Sequence, residues 1–147
     1  MVICLDKPED VAKKKVKDGW IRSWMMIEAM AINKDAVRTA LEKHIKNLTG
    51  EKNIIILKKA EGEIKKVDAP FPNIKEAYSQ VIELDVLTLN YDTLIYIVLN
   101  YGPSAVEILK PDKIVLNQGE AQGVLNSLAA LVHRFAAMGG GGLMVST

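Results

Sequence analysis

The chain has 147 residues, 49% of them apolar, which is enough for one domain with a core of its own. Lys and Arg number 19 against 18 Asp and Glu, so the net formal charge of +1 supplies no field to steer nucleic acid or an anionic membrane surface. A single cysteine, Cys4, excludes an intramolecular disulfide and a cysteine-built metal cage, and points to a reducing compartment.

Residues 1 to 19 read as a lead-in. MVICL is too short, and too soon interrupted by Asp6, for a signal peptide, and no apolar run is long enough to span a bilayer, so a cytoplasmic protein without membrane contact is expected. Pro8 suits the first turn of a helix; the densest positive run, KKKVK from Lys13 to Lys17, follows and ends at Gly19. Glu9, Asp10 and Asp18 dilute that run, which argues against nucleic acid as a partner. Lys outnumbers Arg sixteen to three, a balance that fits an AT-rich or thermophilic source.

From Trp20 the pattern changes to WIRSWMMIEAMAI, which sorts by alternation into two faces. Ile21, Ser23, Met25, Ile27 and Ala29 form a small apolar face towards a core; Trp20, Arg22, Trp24, Met26 and Glu28 form a larger, mixed one. Asn33 then caps KDAVRTALEKHIKNL, whose Val37, Ala40, Leu41, Ile45 and Leu48 recur at helical spacing, and Gly50 supplies the stop. NIIILKK, from Asn53, reads as a second strand. The stretch from Ala60 to Asn73 reads as a hairpin extension or loop, because Pro70 and Pro72 bar a regular central strand.

After Tyr78, SQVIELDVLTL alternates again, with Ile82, Leu84 and Val86 on one side and Val81, Glu83, Asp85 and Leu87 on the other. Asn90 or Asp92 caps a short helix, DTLIYIVLNY, apolar nearly all round and therefore expected to be well buried. Gly102 in the left-handed conformation and Pro103 end it, and Val106 to Leu109 enter a fourth strand. Asn117 caps the last helix, on which Ala121, Val124, Leu125, Leu128, Leu131, Val132 and Phe135 mark the expected buried stripe.

The order β-α-β-β-α-β predicts an α+β sandwich of ferredoxin-like type, a four-stranded antiparallel sheet covered on one face by two helices, with an added C-terminal helix and an N-terminal lead-in. The expected organisation is a lead-in over 1–19, one domain over 20–138, and a Gly-rich tail over 139–147. The run Gly139 to Gly142 is not followed by Lys-Ser or Lys-Thr, so it is no phosphate loop.

The stretch YDTLIYIVLNYGPSAVEILKPDKI resembles the C-terminal extension of WYL-domain transcriptional regulators, in which a strand leads to an apolar helix, a Gly-Pro turn, a Val-Glu-Val-Leu-like strand, a Pro and a final helix. The matching residues are Leu94, Leu99, Gly102, Pro103, Val106, Glu107, Leu109 and Pro111, within a similarity that runs from Tyr78 to the final helix. The resemblance implies regulation through ligand sensing and assembly. Neither the Trp-Tyr-Leu core motif nor a helix-turn-helix reading head is present in the sequence. Amino-acid-binding ACT domains are similar at the level of fold alone.

One sheet face stays open in this arrangement, and the candidate ligand or interface residues lie there: Trp20, Arg22, Trp24, Met26 and Glu28 beside Glu83 and Asp85. An RNA-binding sheet needs stacking aromatics among basic groups, and Glu83 and Asp85 have the wrong sign. The set suits an Arg22–carboxylate pair with Trp24 and Met26 as apolar anchors. Three covers for this face are expected: the lead-in or last helix of the same chain, a second copy in a homo-oligomer, or a small-molecule ligand. His44 reads as a boundary histidine bonded to backbone or carboxylate, and His133 as a helix-end cation. No spacing suggests a catalytic triad, a metal or a cofactor. Gly119, Gly123, Ser127 and Ala130 form a small-residue ridge that admits a close neighbouring helix, a hint of packing between chains.

The functional expectation is a non-catalytic, oligomeric regulatory or ligand-sensing module using the open face and the last helix. The alternatives are an enzyme with an inter-subunit site built from Arg22, Glu28, Glu83 and Asp85, and a protein–protein adaptor working through KKKVK or the Gly-rich tail.

Overall fold

The structure, a computed structural model, describes residues 7–139. In chain order the elements are α1 (Pro8–Lys17), β1 (Ile21–Ala31), α2 (Lys34–Thr49), β2 (Ile54–Glu61), β3 (Lys65–Phe71), β4 (Ile74–Thr88), α3 (Tyr91–Tyr101), β5 (Ala105–Lys110) and α4 (Gln118–Ala137). The sheet is antiparallel throughout, in the order β2-β4-β1-β5, with β3 paired to the first half of β4. Without β3 this is the ferredoxin-like order read from the sequence.

The fifth strand is the sequence's proline-bearing hairpin extension. Lys65 to Asp68 pair with Ser79 to Glu76, then the register slips before Phe71 meets Ile74. Ala69 takes a positive φ of 45° and Pro70 falls inside the slip, where its missing N–H breaks no ladder. β4 consequently begins four residues before Tyr78.

Period-two burial sets the two faces of the sheet. Ile21, Ser23, Met25 and Ile27 of β1 and Ile82, Leu84 and Val86 of β4 are buried, and pack with Leu41, Ile45 and Leu48 of α2 and Leu94 and Ile97 of α3. The helices over this layer start and stop as their sequences dictate. Asn33 accepts from the Ala36 N–H at 2.7 Å and Asn90 from the Thr93 N–H at 2.8 Å. Gly102, with φ 57°, closes α3 by donating to the Val98 carbonyl. His44 bonds the Tyr101 carbonyl at 2.8 Å and meets its ring edge-on, a boundary role as expected.

Of the three covers expected for the open face, the lead-in is the one present: it forms a helix, α1, started by Pro8, which lies on that face with Ala12 buried. Leu87, which shares that face through its pairing with Arg22, is fully buried as well. The last helix departs from its sequence reading. No residue of α4 is buried, and Leu125, Leu128, Val132 and Phe135 of the expected core stripe are exposed. α4 packs chiefly on α3, and the residues it turns that way include Gly123, Val124, Ser127 and Leu131. The longer apolar stripe lies about a quarter turn further round the helix. α3 itself is buried only at Leu94 and Ile97, and Tyr96 is exposed, because a helix between a sheet and one neighbour keeps a free side.

Candidate functional site

Antiparallel pairing of β1 with β4 brings the sequence-predicted residues together. Trp24 is paired with Asp85, Met26 with Glu83, Glu28 with Val81 and Arg22 with Leu87, so their side chains share one face. On the far side, β5 places Glu107 beside Trp24 and Lys110 beside Arg22.

Arg22 is the centre of the charged cluster. Its Nε and Nη2 donate to Asp85 at 2.9 and 2.6 Å, while Nη1 and Nη2 donate to Glu9 of α1 at 3.0 and 2.9 Å. Lys58 of β2 donates to Glu9 at 3.1 Å, so three N–H···O bonds tie α1 to β1 and β2, and two more join Arg22 to β4. The bonds from Arg22 and Lys58 hold the Glu9 carboxyl down at about 2, against an ordinary 4.5. The same pairing, with Asp85 first, pushes the Arg22 guanidinium further up, so it is charged at every accessible pH. Asp85 and Arg22 side chains are 14% and 15% exposed, which shields their pair from water. Glu83 and Glu28 stay exposed and outside this network.

Trp20, just ahead of β1, is half-buried, with the Lys15 ammonium 4.7 Å from its ring centroid. Lys15 belongs to the KKKVK run, whose other lysines point elsewhere: Lys13 and Lys17 line a groove of about 420 Å³ between α1 and the sheet, with Ala12, Val16 and Lys110. A larger cleft of about 540 Å³ opens where the α1–β1 turn, the β4–α3 turn and the β5–α4 connection meet, lined by Ile21, Tyr91 and Ile114 among others.

Glu9, which completes the cluster, was not picked out by sequence reasoning. Its signal was Pro8 at a helix start followed by Glu9, Ala12 and Val16 on one helical face. Also unforeseen are the Ser23 and Thr88 hydroxyls, buried on the core face without hydrogen-bond partners. The small-residue ridge, expected to pack between chains, meets its own chain at Gly123, where an added Cβ would lie 2.9 Å from an Asp92 carboxylate oxygen of α3. Among the described residues, no group of three or more His, Cys, Asp or Glu side chains is placed to hold a metal ion, and no helix is long and apolar enough to cross a membrane. Cys4 and the tail beyond Gly139 lie outside the described residues.

An α+β sandwich of ferredoxin-like order, one sheet face tied down by a basic helix and a last helix left proud of the core, is the class these features define. The chain belongs to the MJ0538 family, whose model matches residues 22–146. No curated protein and no solved structure matches it.

Proposed function

We propose that the chain is a non-catalytic assembly module, an α+β platform that presents α4 for docking on another polypeptide. The observation that carries this reading is the placement of apolar surface. Among the described residues, ten of the fifteen large exposed apolar side chains lie at or after Val106, on β5, the connection that follows and α4. Among the described residues β5 is the outer strand of the sheet at that end, with no further strand on its edge, which carries Glu107 and Lys110.

The charged cluster supports the same side of the choice. A site built for acid–base work holds a carboxyl near neutrality, whereas Glu9 is pushed down and both Glu9 and Asp85 are engaged by one guanidinium. Arg22 and Asp85 accordingly serve to fasten α1. A ligand-sensing role has a separate support, the lysine-rimmed groove beside α1, whose volume lies within the range of small-molecule sites. Kinship with the WYL-domain extensions belongs to this proposal as well, supported by the left-handed Gly102, Pro103 and the strand after them.

Truncation before Gln118 tests the reading. With no buried residue on α4, the shortened chain keeps its fold and loses assembly. An unfolded product would make α4 a structural cover and remove the docking role.

A further inference from the structure

α4 carries an ordered pattern on its exposed side. Leu125, Leu128, Val132 and Phe135 are spaced three, four and three residues apart, which is the a-d-a-d seam of two heptads. Their exposures are 61%, 42%, 43% and 52%, values typical of a helix surface facing water, where such a seam is costly. With Met138 at 83%, these side chains leave on the order of 500 Å² of apolar area, the upper end for the largest patch on a monomer. A stable interface needs roughly 800 Å² from each partner, so the seam supplies most of one.

We infer that the occupant of this seam is a second copy of the chain, packed α4 against α4 about a two-fold axis. The inference rests on the docking reading above and adds the identity of the partner. Charge decides between a copy and an unrelated protein. The positions flanking the seam are Val124, Leu131, Ala129 and Ala136, none of them charged. Glu120 and Arg134 are the charged residues of the whole helix, and both fall outside the seam and its flanks. Partner choice between different chains is set by opposite charges at flanking positions. A neutral seam meets its own copy without like-charge repulsion, as a two-fold interface requires.

Packing favours the same partner. Ala129 and Ala136 are small, so two helix backbones can approach closely along that edge. Each helix is already held on its platform by α3 and capped by Asn117, which accepts from the Glu120 N–H at 2.8 Å. Association therefore orders no new helix, and a seam of two heptads suffices where a free peptide of that length does not.

The test is solution mass by light scattering across micromolar concentrations, on the full native chain and on Leu128→Glu, with circular dichroism as the fold control. The expected result is a native dimer and a folded, monomeric variant. A native monomer throughout, or a dimer that survives Leu128→Glu, overturns the assignment. A native monomer leaves the docking reading to its own test, since the truncated chain can still fold while the seam takes another protein or the chain's own end segments. A second readout does not depend on mass: in a Cys4→Ser background, cysteine at Leu128 is joined between chains by a short bis-maleimide linker, and cysteine at Asn126 is not. Equal linking of the two would also overturn it.

Discussion

Replacing Arg22 by Met removes the charge and keeps most of the apolar stem. The change strands Asp85 at 14% exposure without its two bonds and releases Glu9 from α1. Exposed ion pairs contribute about 0–1 kcal/mol, and breaking a fully buried one costs about 3–5 kcal/mol. A pair at this depth, with one edge still wet, falls between those limits, so Arg22→Met costs about 2 kcal/mol. Urea unfolding followed by circular dichroism reads the change as a lower midpoint at constant slope. The double variant Arg22→Met, Asp85→Leu recovers most of the loss, because two apolar groups then replace a desolvated pair. A loss under about 0.5 kcal/mol for the single variant would show the pair to be solvated, and the fastening role of Arg22 would fail.

Three further predictions concern α1, the core and the α3–α4 contact. Glu9 has a folded-state pKa below its unfolded one, so its contribution is present above about 4.5 and is lost as pH falls through about 2. In a Trp24→Phe background, Trp20 fluorescence, sensitive to Lys15 above its ring, then changes in that window and loses the transition when Glu9→Gln is added. Ser23→Ala removes a buried hydroxyl with no partner and raises stability by about 1 kcal/mol, measured by urea unfolding; a loss would mean that the hydroxyl is satisfied. Gly123→Ala is near neutral, since the Asp92 carboxylate can swing aside and alanine contributes about 1 kcal/mol of helix propensity. Gly123→Leu instead pushes α4 off α3, seen as faster hydrogen exchange across α4.

How much of this was written in the sequence varied with the range of the forces involved. Local signals were plain: Asn33, Asn90 and Asn117 each cap the helix they precede, and Gly102 ends α3 with the expected left-handed turn. Alternation fixed the faces of β1 and β4, which is why Arg22 and Asp85 could be placed together in advance. The partner Glu9 was obscured because four lysines swamp the short face of Ala12 and Val16 that docks α1. α4 shows the deeper limit. An apolar stripe says that a helix wants a partner, and it carries no mark of which chain supplies it, so from sequence the stripe reads as core. Only the position of α3 decides that α4 meets its own chain on the side of Gly123, leaving Leu125, Leu128, Val132 and Phe135 outside.

The most direct measurement is hydrogen exchange along α4 in the native chain and in Leu128→Glu at the same protein concentration. If α4 docks on its own copy, amides from Leu125 to Phe135 exchange markedly more slowly in the native chain, while β1 and β4 are equally protected in both. Identical exchange along α4 in the two proteins would mean that no second copy packs on that face, and the self-association of α4 would be wrong.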